Sequence, residues 1–239
     1  MAGHSKWSNI KRRKEAQDAV RGKIFQKLAK EIYVAAKSGD KDPKNNANLR
    51  MVVEKAKSAN MPNDRIDKAI EKAHSIGNAE DYESVLYEGY GPGGIAIMVD
   101  TLTDNRNRTA SMVRTAFTKN GGNLGTNGSV SYLFERKGII VVSNKYNEED
   151  VMMNVIDNGA IDFKVNDDSY EIITEPEDFI KAKKGLEKDI DEFIASEITF
   201  LPQLEIEVSE AMQEKVLNII EALEELDDVQ NVYYNMKEE

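Results

Sequence analysis

Basic side chains crowd the first thirty residues of this 239-residue chain: His4, Lys6, Trp7, Lys11, Arg12, Arg13 and Lys14, then Arg21, Lys23, Lys27 and Lys30. Nine Lys/Arg stand there against two acids. Such density neutralises phosphates, and Trp7 offers a face on which a base or sugar can stack. The plainer alternative is a solvated basic arm with Trp7 packed on its own domain. Charge distribution favours binding. Residues 1–75 carry 18 bases and 9 acids, net +9, whereas residues 76–239 carry 14 and 34, net −20, within a total of −11. An acidic body repels a phosphate backbone, so contact should be confined to the head.

A second cationic cluster is Asp104-Asn105-Arg106-Asn107-Arg108-Thr109, with Arg114 about two turns further on. Asp104 or Asn105 can cap a helix, and Arg106, Arg108 and Arg114 can grip phosphate or carboxylate. A capped surface helix whose arginines pair with nearby acids explains the same residues. Nine of the fifteen glycines fall between Gly77 and Gly128. The loops holding Gly91, Gly93, Gly94, Gly121, Gly122 and Gly125 could bring backbone N–H groups to phosphate, although turns between short strands demand glycine equally. Tyr87 and Tyr90 read as strand packing.

Enzyme chemistry finds no constellation. The chain has no cysteine and two histidines, His4 and His74, far apart in sequence. Disulfides, zinc–thiolate sites and thiol catalysis are excluded, and no cofactor, metal site or catalytic residue is expected. His74 reads as a helix-end residue. Asp167/Asp168 and Asp227/Asp228 read as solvated charges at a turn and a helix end. Gly94 is followed by Ile95 where a phosphate-binding loop would need Lys and Ser/Thr. No apolar run suits a signal peptide or a membrane span, so no membrane partner and a soluble cytoplasmic protein are expected.

The elements that must carry these residues begin as helices. Val20, Ile24, Leu28 and Ile32 recur every four residues, Leu49, Val52, Val53 and Ala56 mark a second helix, and Ile66, Ala69, Ile70 and Ala73 a third behind Pro62. From Tyr82 the pattern changes to strands at Ser84–Tyr90 and Ile95–Val99, a helix through Val113 and Phe117, and a strand at Ser129–Phe134. A second series follows: a strand at Ile139–Val142, a helix around Val151, strands at Ile161–Val165 and Tyr170–Ile173, a helix opened by Thr174-Glu175-Pro176-Glu177, and a strand at Ile194–Phe200. The tail adds a short strand at Leu204–Val208, a helix through Val216 and Leu223, and a strand at Val229–Tyr234.

The expected fold is α+β in three lobes: a basic helical bundle (1–78), a ferredoxin-like middle domain (79–135 plus 203–239), and a ferredoxin-like acidic domain (136–202) inserted in it. A linear arrangement, with the tail extending the third domain, is the alternative. Residues 138–239 hold 27 acids and 8 bases, which could dock a basic protein but serve solubility as well.

Specific motifs then carry a resemblance. Met1-Ala2-Gly3-His4-Ser5-Lys6-Trp7, Lys11-Arg12-Arg13-Lys14, Asp18-Ala19, Arg21-Gly22-Lys23, Asn48-Leu49-Arg50 and Met61-Pro62-Asn63-Asp64 resemble the YebC family. So do Tyr87-Glu88-Gly89-Tyr90-Gly91-Pro92-Gly93-Gly94, Thr103 through Thr109, and Gly121-Gly122-Asn123-Leu124-Gly125 leading to Gly128-Ser129-Val130. Lys68 stands where the family commonly has Arg. The resemblance implies three lobes, and a role either as a DNA-binding transcriptional regulator or, as in mitochondrial members and those linked to ribosomes stalled at proline-rich stretches, in translation. No helix-turn-helix can be assigned, and lysine-rich helical faces suit phosphate better than base edges. The expected function is a noncatalytic nucleic-acid-binding regulator that contacts ribosomal RNA, with DNA-binding transcriptional control as the alternative and a protein scaffold as a third.

Overall fold

The computed structural model describes residues 21–75 and 81–237. Helix α1 (Arg21–Lys37), α2 (Ala47–Ser58) and α3 (Asn63–His74) form the N-terminal bundle. The fourfold spacing of Ile24, Leu28 and Ile32 delivers one stripe to a core that also holds Ala35, Ala36, Leu49, Val53, Ala56, Met61, Ile66 and Ala69. Asn46 caps α2: its side-chain oxygen accepts from the N–H of Leu49 at 3.0 Å, and its amide donates to the carbonyl of Ala35 at 2.8 Å. One buried side chain thus starts the second helix and ties it to the first.

The middle domain follows as β1 (Glu83–Tyr90), β2 (Ala96–Thr103), α4 (Arg106–Lys119), β3 (Asn123–Leu124) and, after a long excursion, α7 (Glu210–Glu224) and β8 (Val229–Tyr234). Its antiparallel sheet has the order β3-β1-β2-β8. In that sheet Ile97 faces Tyr234 and Val99 faces Val232. Ile97, Val99, Val113, Phe117, Val216 and Ile219 are all fully buried. Gly89 is required where β1 passes β3, because a Cβ there would lie 2.7 Å from the carbonyl oxygen of Asn123 and 2.7 Å from the Phe117 ring.

The excursion is the acidic α+β domain: β4 (Phe134–Ser143), α5 (Glu148–Asp157), β5 (Ala160–Val165), β6 (Ser169–Thr174), α6 (Phe179–Leu186) and β7 (Phe193–Pro202), with sheet order β5-β6-β4-β7. Ile139 and Val141 join Ile173, Ala195 and Leu201 in one core. The intervening Ile140 and Val142, on the opposite face, are equally buried, which is why this strand reads as a continuous apolar run. Residues 132–207 with Lys237 form one compact unit, and the bundle, residues 81–131 and 208–236 form the other. The chain leaves the second unit after Ser131 and returns to it at Val208, so the third lobe is inserted in the second.

Three expected elements differ. The strand expected at Ser129–Phe134 does not form: β4 begins at Phe134, and the edge strand of the middle sheet is the two-residue β3. The N–H groups of Val130 and Ser131 are taken by a buried carboxylate, described below, and are lost to any ladder. Thr174 does not open a helix. It is the last residue of β6, and α6 starts five residues later behind Asp178. In place of a strand at Leu204–Val208 there is a single bridge, where Lys237 N–H meets the Ile206 carbonyl at 2.9 Å.

Candidate nucleic-acid interface

Of the basic head, His4, Lys6, Trp7, Lys11, Arg12, Arg13 and Lys14 lie outside the described residues. Arg21 is the first residue of α1. Lys23, Lys27 and Lys30, spaced by four and three, share one face of that helix. This face is turned on the end of α7. Lys23 Nζ donates to the carbonyl of Glu225 (3.2 Å), Lys27 Nζ to that of Glu224 (2.9 Å) and Lys30 Nζ to that of Asp227 (2.9 Å). The last carbonyls of a helix have no partner within it and sit at the negative end of its dipole, so the Lys23 and Lys27 ammonium groups cap α7, while Lys30 holds the turn that follows it. Beside them Tyr33 and Tyr82 meet edge to face at 5.6 Å, and Lys37 pairs with Asp81 at 2.6 Å.

Burial pushes the Lys27 ammonium down to about 8, against an ordinary 10.5, with Lys23 and Lys30 repelling it and Glu224 and Asp227 opposing the shift. The folded protein therefore binds fewer protons than the unfolded chain between those two values, and stability linked to Lys27 rises with pH across that window. Relative to Lys27→Met, the wild-type protein should gain up to about 3 kcal/mol between pH 7 and pH 10. Denaturant midpoints of both proteins across that range check this; a constant difference would defeat it.

Lys30 also reaches the Asp228 carboxylate, at 2.9 Å from Oδ1. Arg108 Nη2 donates to Asp228 Oδ2 at 2.7 Å and to Asp104 Oδ1 at 2.8 Å, and the Thr109 hydroxyl donates to Asp228 Oδ2 at 2.8 Å. Burial alone would raise this carboxyl, but the hydrogen bonds from Arg108, Lys30 and Thr109 outweigh it and hold it at about 2. Asp228 is therefore no solvated helix-end charge. It joins the bundle, α4 and the segment entering β8. The expected Asn105 cap of α4 is present, accepting from Arg108 N–H at 3.1 Å. Arg106 and Arg114 remain exposed on that helix, whereas the Arg108 guanidinium is committed to carboxylates.

The glycine segment is organised by a residue that the sequence did not nominate. Glu88, at 2% exposure in β1, accepts from Gly128 N–H at Oε1 and from Val130 and Ser131 N–H at Oε2, each at 2.7 Å. Its own carbonyl accepts from Gly125 N–H (2.8 Å), and the Tyr90 hydroxyl donates to the Ser129 carbonyl (2.7 Å). Despite burial, the three backbone donors keep the Glu88 carboxyl below the usual range. The loop after β3 has thus folded around an anion supplied from within. The detectable signal was a carboxylate in a strand whose partner across the sheet, Met98, is fully buried.

Other nominated N–H groups are also used internally. Gly91 donates to Ile95 O (2.8 Å), Gly121 to Thr118 O (3.4 Å) and Gly122 to Phe117 O (2.9 Å). Gly93 and Gly94 shape the β1–β2 turn at φ of 71° and 74°. His74 ends α3 with Nδ1 3.2 Å from the Ile70 carbonyl. Among the described residues no group of three or more His, Cys, Asp or Glu could hold a metal ion, and no helix is long and apolar enough to cross a membrane. On the inserted domain Met153, Ile156 and Ile161 are more than half exposed.

Two family models cover most of the chain. One, described as the TACO1/YebC protein N-terminal domain, matches residues 5–76; the other, described as the TACO1/YebC second and third domain, matches residues 82–236. A probable transcriptional regulatory protein of Geobacillus sp. (strain WCH70) is 55% identical, over 100% of this chain and 98% of its own length. One so named from Bacillus subtilis (strain 168) is 53% identical, over 99% and 100%. The crystal structure of a conserved hypothetical protein from Aquifex aeolicus superposes with a TM-score of 0.82 at 46% identity, covering 93% of each chain.

Proposed function

We propose that this chain, which belongs to the TACO1/YebC family, is a noncatalytic regulator of gene expression that binds nucleic acid through its basic head and acts in the cytoplasm on ribosomal RNA. The observation that carries this reading is the charge polarity: net +9 over residues 1–75 against −20 over the remainder. A phosphate-rich partner is drawn to the head and repelled by most of the remaining surface, so the contact centres on the head. Lys6, Lys11, Arg12, Arg13 and Lys14 supply phosphate contacts, with His4 and Trp7 offering rings for stacking. Arg106 and Arg114, exposed on α4, provide a second phosphate contact. The action is positioning of the ribosome or nascent chain, with no covalent step.

Binding to DNA as a transcriptional regulator is the competing reading, favoured by the names of the bacterial relatives. Cosedimentation with purified ribosomes beside duplex-DNA titrations separates the two. Lys11→Ala/Arg12→Ala/Arg13→Ala should lower ribosome affinity by at least about tenfold at physiological salt and flatten its salt dependence, each lost phosphate contact removing roughly 0.7 to 0.9 from the log–log slope. Tight sequence-selective DNA binding with no ribosome binding would make transcriptional control the function instead.

A further inference from the structure

The cationic row of α1 has a ligand already, and the character of that ligand matters. Lys23 and Lys27 donate to main-chain carbonyls, which are neutral groups sharing only the partial charge of a helix end, about half an elementary charge in all. A phosphate oxygen is a stronger acceptor for the same ammonium. Among the described residues Lys30 is the member of the row with a carboxylate partner, and that carboxylate would not be orphaned by its departure: Arg108 and Thr109 would continue to donate to Asp228 Oδ2. Glu225 and Asp227 are exposed and Glu224 half-buried where α7 ends, so water can reach these carbonyls once the lysines leave. Each contact of the row is thus one that an incoming polyanion can replace without stranding a buried charge.

We propose that Lys23, Lys27 and Lys30 form a latch with two alternative ligands, the C-terminal end of α7 and the phosphate backbone of nucleic acid. Resting on the reading above that the head binds nucleic acid, this assigns a regulation to it. In the latched state the bundle is held against α7, and only the cations outside the row meet phosphate. In the released state three further ammonium groups, spaced about 6 and 4.5 Å along the axis of α1, join the contact. Nucleic-acid binding and bundle docking therefore compete, and the orientation of the head over the middle domain reports whether the partner is bound.

The absence of cysteine makes this testable in the whole protein. Gln26, exposed beside the row on α1, and Glu225, exposed at the end of α7, are replaced in a Gln26→Cys/Glu225→Cys variant and bridged with a short bismaleimide. The same variant, unbridged and alkylated, is the reference, and ribosomal RNA and duplex DNA are titrated in parallel across a salt series. The bridged form should bind about tenfold more weakly at low salt, with a log–log salt slope smaller by roughly two to three, as expected when three phosphate contacts are withheld. Labels at the two cysteines of the unbridged protein should separate when the nucleic acid is added. Equal affinity and slope in both forms, with no separation of the labels, would overturn the latch while leaving nucleic-acid binding by the head intact. Failure of the wild-type protein to bind either nucleic acid would overturn the reading on which the latch rests.

Discussion

Glu88→Gln should destabilise the unit containing the middle domain by about 3 kcal/mol, although it changes one atom and leaves the side-chain volume nearly unaltered. The carboxylate receives three backbone N–H groups with two oxygens. A glutamine has one oxygen and an NH2 group, so whichever way the amide turns, a donor faces a donor. At least one of Gly128, Val130 and Ser131 N–H is then left buried without an acceptor. The damage is local first: amide exchange at these three positions should accelerate by roughly a hundredfold, the equivalent of about 3 kcal/mol. Glu88→Asp should fail too, for want of reach. Because the folded carboxyl titrates below its unfolded value, its stabilisation is present above the ordinary glutamate range and lost as pH falls through the lowered folded value. Exchange rates at Gly128–Ser131 that match wild type would show that the loop is held by something other than this carboxylate.

Glu88 also marks the boundary of what the sequence can reveal. Ile24, Leu28 and Ile32 announce α1 because their spacing is a local consequence of 3.6 residues per turn, and the switch to short β-branched runs after Tyr82 announces the sheets in the same way. Asn105 was legible as a cap because its partner, Arg108 N–H, is three residues away. Glu88 and Ser131 are separated by 43 residues, and Asp228 and Arg108 by 120. Apart from the place of Glu88 in a strand, nothing local distinguishes those carboxylates from the many solvated ones. The false strand at Ser129–Phe134 has the same origin, since its residues suit a ladder well and were excluded from it by an acceptor on a distant strand. Lys23 and Lys27 show the complementary error of emphasis: their charge marks them as cations for phosphate, yet charge pattern alone does not say that a helix end already holds them.

Asp228→Ala should cost the same unit about 3 kcal/mol at pH 7, the range expected when a buried carboxylate bonded to two cations is removed and its partners are left behind. Lys30, with 19% of its side chain exposed, loses its anionic partner, and the buried Thr109 hydroxyl loses its acceptor on Asp228 and keeps only the Thr103 hydroxyl and the Asn105 carbonyl. Arg108 suffers less, because about half of it is exposed and Asp104 remains. The pH dependence identifies the cause. A carboxyl held at about 2 in the folded protein, against an ordinary 3.8, contributes stability that is complete above the unfolded value and disappears as pH falls through the folded one. The gap between wild type and Asp228→Asn should therefore close by roughly 2 kcal/mol between pH 5 and pH 2, whatever other carboxylates do, since those are common to both proteins. A Lys30→Met background divides the effect: a coupling of about 1 kcal/mol between Asp228 and Lys30 belongs to the latch, and the remainder to Arg108 and Thr109. Were the gap to persist undiminished at pH 2, Asp228 would be acting through shape, and the ion-pair account of how the bundle is fixed to the middle domain would fail.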